Sequence, residues 1–426
     1  MKKLWLGSLL LCVACASAPP PAPKPAAQAQ PEFVMADGAI SARYFNYVTE
    51  TGATPRACLT KEPDYRSTPI YFNLELGNGR NRFITLALDE SGGPGKGYDT
   101  LYADANNHGD LTDYPPTALV AGEFSGPQFA NLKTKEPIPL TIRYDDGTSR
   151  PMPTRISINI NHFSGQTNYS LDAEPTRHVE GKVMFGDKPV LVGIYLGAPR
   201  EGWPDWCFDD YGVDRLRIDR KGQGKLTPDE EMPLSKVISY HGKLWELVVN
   251  SAATQVTVKP CALPSGPVQV EALFDGTPVG GQLEFADHAG TAFSELFAED
   301  APVLPAPAGK YHVTSGSVIL ADAEGARWRG DFSYPGLLEV VPGTGALLLL
   351  EKPLKVEPVV TTMMMSPDEA PGVYKLGGRV QVSYDLLGPG GEKYSAVSPE
   401  GQRKGQQVRI LDSEGIEVAS GAMEYG

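Results

Sequence analysis

The chain has 426 residues and a formal charge of −14, and its 38 lysines and arginines form no basic cluster, which argues against nucleic acid or an anionic lipid surface as partner. Gly (46) and Pro (38) are abundant while charged residues make up 21%, and such punctuation between short apolar runs predicts strands and turns instead of long helices. Roughly 400 residues beyond the leader leave room for two to four domains.

Residues 1–18 (MKKLWLGSLLLCVACASA) place two lysines before an apolar run from Leu4 to Val13, followed by small residues. That is the pattern of a secretory signal, and the run is too short for a stable membrane span. Val13 and Ala14 precede Cys15 as in a lipobox, so Cys15 is the expected acylation site and mature N-terminus. Cys12 occupies the place where such signals usually carry Leu, and cleavage near Ala16 or Ala18 without acylation is the alternative. Cys12 and Cys15 also have C-x-x-C spacing, but both lie in the targeting segment, where a redox role has no setting.

Residues 19–34 are rich in Pro and Ala, cannot bury a core, and are expected to form an extended, semi-rigid tether. Together these features predict an exported, lipid-anchored protein facing the periplasm or the cell surface. No later stretch is long and apolar enough to span a bilayer. Export leaves Cys58, Cys207 and Cys261, of which at most one pair can bridge; Cys207 and Cys261 fall in one candidate unit and are the expected pair.

Residues 97–112 (GYDTLYADANNHGDLT) align without a gap on 212–227 (GVDRLRIDRKGQGKLT). Gly97/Gly212, Asp99/Asp214, Leu101/Leu216, Asp104/Asp219, Gly109/Gly224, Leu111/Leu226 and Thr112/Thr227 are identical. Short strand-like runs precede and follow each copy, which predicts a duplicated β-rich unit with copies at 35–176 and 177–262. Beyond it, 263–360 alternates apolar and polar residues around the turn Asp275-Gly276-Thr277-Pro278, as in a β-sandwich. Residues 361–426 are expected to be a small β domain or the closing strands of the previous one, with a hairpin turn at Asp412–Gly415. The expected class is mainly β: several sandwich-like domains in tandem, the N-terminal unit duplicated.

Both repeated loops resemble the EF-hand or dockerin type of calcium loop, D-x-[DN]-x-[DN]-G-x-[IL]-x-x-x-[ED]. Calcium takes six to eight oxygens, including a bidentate carboxylate at the twelfth position, and the sixth-position Gly permits the sharp turn. In the first loop Asp104, Asn106, Gly109 and Leu111 match, but His108 stands at the fifth position and Pro115 at the twelfth. Asp110 would offer its carbonyl, Thr112 would act through water, and Asp113 is the nearby carboxylate that would close the cage. In the second loop Asp219, Gly224, Leu226, Thr227 and Glu230 match, while Lys221 and Gln223 fill the third and fifth positions. The resemblance implies a structural Ca²⁺ site at Asp104, Asn106, His108, Asp110, Thr112 and Asp113, and a weaker one at Asp219, Thr227 and Glu230. The alternative is a tight turn in which Asp and Asn bond the backbone ahead of them and Gly supplies the left-handed corner.

The run Gly276-Thr277-Pro278-Val279-Gly280-Gly281, followed by Pro307-Ala308-Gly309-Lys310-Tyr311-His312-Val313, resembles the transthyretin-like or carboxypeptidase-regulatory β-sandwich. That resemblance implies a fold and no activity. With its leader and loops, the chain resembles bacterial lipoproteins carrying degenerate EF-hand-type loops.

Residues 202–214 (GWPDWCFDDYGVD) collect Trp203, Trp206, Phe208 and Tyr211 among Asp205, Asp209, Asp210 and Asp214. Exposed aromatics beside carboxylates build sugar-binding faces, so Trp203, Trp206 and Tyr211 are the candidate ligand surface. Paired acids also suggest glycosidase chemistry. The plainer alternative is an insertion whose rings plug a core. The six histidines are scattered without H-x-H or H-E-x-x-H spacing, and neither a G-x-S-x-G elbow nor a phosphate loop is present. Met363-Met364-Met365 reads more simply as a half-buried edge than as a copper site. The expected function is therefore a non-enzymatic envelope binding or interaction protein, with an envelope protein or glycan as partner. The alternative is a polysaccharide-binding or glycoside-hydrolase-like protein using residues 203–214.

Overall fold

Alternating side chains decide most strands: along Ile138–Arg143 every second residue is buried, and Ser149–Phe163 keeps the same period over most of its length. Phe83–Asp89 is buried on both faces. Ile84, Leu86 and Leu88 enter the largest core, while Ala87 turns to a small second cluster with Tyr71 and Leu111. The computed structural model describes residues 33–37, 46–47, 51–52, 59–122, 126, 128–163, 165–197, 206–272, 277–286, 292–298, 303–350, 355–362, 380–399, 407–411 and 414–422. Among the described residues the protein is mainly β, strand far outweighing a single short 3-10 turn at Pro228–Glu230.

The largest N-terminal sheet runs in the order Asn46–Tyr47, Gln166–Pro175, Ser149–Phe163, Phe129–Thr134, Thr117–Ala121, Thr100–Ala103, Phe83–Asp89, Ile70–Glu75, Thr51–Gly52. Its two outer strands are sequence neighbours, and the arrangement of the molecule's sheets includes a near-barrel. A five-stranded sheet joins Val34–Asp37, Arg177–Phe185, Lys188–Tyr195, Arg215–Ile218 and Glu231–Pro233.

The duplication is written into the hydrogen-bond register of these two sheets. Thr100 pairs with Ala118 and Leu101 with Thr117; 115 residues on, Arg215 pairs with Pro233 and Leu216 with Met232. Ahead of the loops, Ala103 pairs with Leu86 and Ile218 with Val192. The separations are 103 − 86 = 17 and 218 − 192 = 26, so the second copy carries nine extra residues, and these fall in the connection containing 202–214.

The shared residues have shared duties. Gly97 and Gly212 are both left-handed (φ 95° and 89°), a conformation costly for a side chain with a Cβ. Asp99 accepts the amide of Ser91, and Asp214 accepts that of Gly197, each at 2.9 Å. Leu101 and Leu216 are fully buried.

The copies do not form separate domains. One core cluster runs through both, from Phe33 to Val256. The strand Val34–Asp37, at the end of the expected tether, pairs with Arg177–Phe185 of the second copy. Phe33 is 4% exposed and lies over Gly181, where a Cβ would meet its ring at 2.8 Å.

The rest of the molecule is organised around a second core. Val237–Tyr240, expected in the second copy, pairs in parallel with Ala292–Ala298 and so joins the downstream sheet. Ser265–Ala272 and Thr277–Ala286, expected on either side of one turn, enter different sheets. The first lies between Val303–Pro307 and Ala346–Leu350, the second between Ala292–Ala298 and Gly309–Ala321. Lys393–Pro399 pairs with Arg327–Val340, so strands after residue 361 help complete this sheet. Gln407–Leu411 and Glu417–Ala422 pair as a hairpin with Gly415 at φ 82°.

The expected Cys207–Cys261 bridge is corrected: the two are not joined. Cys207 belongs to the first core and Cys261 packs against the second. The signal, Cys15, Cys58, Trp203, Asp205, the 275–276 turn residues and Met363–Met365 lie outside the described residues.

Candidate functional site

The first loop is closed by its own backbone. Asp104 is 1% exposed, and its two carboxylate oxygens accept the amides of His108 and Gly109, each at 2.9 Å. Asn107 and Gly109 are left-handed (φ 55° and 87°), which turns those amides inward. The second loop repeats this: Asp219 accepts the amides of Gln223 (2.8 Å) and Gly224 (2.6 Å), and Gly222 and Gly224 take the left-handed positions.

The other expected ligands of the first loop point to separate partners. Asp110 accepts the Thr112 amide (2.7 Å) and hydroxyl (2.6 Å), and Lys61 lies 3.7 Å away. The Thr112 hydroxyl, ahead of its amide and Lys61, holds Asp110 down at about 2. Asp113 lies 2.9 Å from His108 Nε2, and Asn106 is exposed. The Arg143 guanidinium donates to the carbonyls of Asn107 (3.2 Å) and Asn106 (3.3 Å), which puts a cation against the loop's own oxygens. Gly109's carbonyl takes the Thr60 amide and hydroxyl and the Lys61 amide.

In the second loop Glu230 accepts the Arg220 amide and the Thr227 hydroxyl, so the expected bidentate ligand caps a short 3-10 turn at Pro228–Glu230. Among the described residues no group of three or more His, Cys, Asp or Glu is arranged to hold a metal ion. The donors present do not fit a calcium cage, because their oxygens are dispersed among separate hydrogen bonds.

The expected aromatic surface is corrected at Trp206. Its ring is 1% exposed and sits in the first core beside Phe208. The nine extra residues belong to the connection that carries Trp206 and Phe208. Tyr211 is half-buried; its hydroxyl donates to the Leu247 carbonyl (3.3 Å) and accepts the Val249 amide (3.1 Å). Asp214 accepts the Gly197 and Asp210 amides, and Asp209 accepts the Ser251 hydroxyl. Rings and acids alike therefore hold the insertion in place.

A cleft of about 390 Å³ opens beside the first loop, lined by Arg80, Asn81 and Phe83 of the hairpin before Phe83–Asp89 and by Asp104, Asn107, His108 and Gly109 of the loop. Its two walls are tied together: the Asn107 amide donates to the Asn81 carbonyl at 2.6 Å. A third segment braces the hairpin. Gly79 donates to the Arg143 carbonyl at 3.0 Å, and a Cβ on Gly77 would lie 2.3 Å from that oxygen. Asn78 bonds the Asp145 amide and the Ser251 hydroxyl, linking the hairpin to the second copy.

Asp104 and His108 were legible as site residues from the loop spacing. Arg80, Asn81 and Phe83 were not, since GNGRNRF reads only as a turn between strands. The one cue was an arginine-rich tip in an acidic chain. No protein-family model, curated protein or solved structure matches the chain.

Proposed function

We propose that this is an exported, lipid-anchored envelope protein that binds a partner at the cleft beside Asp104–Gly109 and performs no chemistry there. The observation that carries the binding reading is the cleft itself, whose two walls are bonded to each other and braced by Arg143 and Ser251. Its volume falls in the range of about 300–1,000 Å³ typical of ligand sites. The lining offers an arginine, amides, an imidazole and a ring. Asp104 already accepts two amides and His108 is engaged by Asp113, which supports recognition over acid–base work. Export and acylation rest on residues 1–18, and the buried Phe33 supports a tether that ends where the folded unit begins.

A photo-crosslinking side chain introduced at Asn81 in the full chain, expressed in a bacterial host, tests both parts. The expected product is a defined adduct in the membrane fraction, absent when the probe stands at Arg155, with Cys15→Ser releasing the protein from that fraction. Full-length protein keeping Met1 in the cytosol would refute export. Identical adducts from both probe positions would refute the cleft.

A further inference from the structure

Resting on the reading of this cleft as a binding site, we propose that it takes the carboxylate of an acidic saccharide, with Arg80 as the anion-recognising residue. One arginine, Arg80, lines the cleft, and those of the same hairpin and of the bracing segment, Arg82 and Arg143, are committed to other partners. Arg82 pairs with Glu75 at 2.6 Å, and Arg143 donates to the carbonyls of Asn106 and Asn107. Arg80 is exposed and makes no hydrogen bond or ion pair among the described residues. A guanidinium presents a planar fork of donors that matches a carboxylate in bidentate fashion.

The one acid in the wall does not answer Arg80. Asp104 is buried, and both its oxygens face the amides of His108 and Gly109. In a chain of charge −14, an arginine at a cleft without an acidic partner is a donor left open to a ligand. The other lining groups suit a hydroxylated ring. Asn81 is exposed, His108 is oriented by Asp113, and Phe83 contributes a half-buried aromatic surface with Arg82 5.7 Å from its centre. An apolar ring beside a few polar side chains is the composition that holds a sugar's face and its hydroxyls.

Isothermal titration of the full-length chain in detergent, with glucuronate, glucose and inorganic phosphate as probes, tests this. Glucuronate should bind at millimolar concentration, phosphate should compete more weakly, and glucose should give no heat. Arg80→Ala should weaken glucuronate at least tenfold, about 1.4 kcal/mol. Arg155→Ala, at a distant exposed ion pair, should leave binding unchanged, and matching melting curves would establish that both variants fold. Glucose binding as tightly as glucuronate would overturn the carboxylate assignment while leaving a binding cleft standing. Phosphate binding more tightly would overturn it in favour of a phosphorylated ligand. Absence of glucuronate binding, or binding indifferent to Arg80→Ala, would overturn the proposal outright, with the Asn81 crosslink still reporting whether the cleft has a partner.

Discussion

Asp104 shows how one residue serves either of two designs. Its spacing from Gly109 is that of a metal loop, yet two inward-pointing amides, those of His108 and Gly109, supply to its carboxylate the positive field that a cation would otherwise supply. Removing it leaves a buried amide without an acceptor, which costs about 1–3 kcal/mol. Asp104→Ala should therefore lower stability by that amount in urea unfolding, and Asp219→Ala by less, because residues 221–225 are exposed. An Asp104→Ala midpoint equal to that of wild type would show that the carboxylate does not hold the loop. The D-x-x-x-x-G spacing was legible because Asp and Gly are needed in both designs. The choice between them was not legible, since it depends on where Asp110 and Asp113 point, and those directions are set by Thr112 and His108.

At the scale of elements, the informative feature is the difference between two copies of one hairpin-strand-loop unit. The nine extra residues of the second copy carry Trp206 and Phe208 into a core shared by both. Truncating a buried large aromatic costs about 3–5 kcal/mol. Trp206→Ala should reach that range in equilibrium unfolding, and a loss below about 1 kcal/mol would mean that the ring does not plug the core. The aromatic cluster was visible in the sequence, but rings beside acids have the same composition whether they face a ligand or close a core. Burial is settled by what packs opposite, here the apolar side chains of both copies that share one core with Trp206 and Phe208.

Across the whole molecule, one cluster unites residues 33–256 and a second gathers most strands beyond 263, with Val237–Tyr240 contributing to the sheet of the second. A ligand that bound only the folded state at a hundredfold excess over its dissociation constant would add about 2.7 kcal/mol to stability. With the loop oxygens dispersed, calcium should add none. Melting midpoints in calcium and in chelator should coincide, and a clear rise in calcium would restore the metal reading of the first loop.

The amino-acid order alone determined the strand-rich class, the duplication and the two loop corners, because alternation, glycine placement and Asp-to-Gly spacing are local properties. It also located the hairpin around Gly415. Only the tertiary structure decided that the copies share one core, that Val34–Asp37 completes the second copy's sheet, and that Cys207 and Cys261 stay apart. It also decided that Arg80 lines one cleft with Asp104 and His108. Those outcomes depend on contacts between segments far apart in the chain, and pairing partners across such distances are chosen by packing, which no short stretch of sequence encodes.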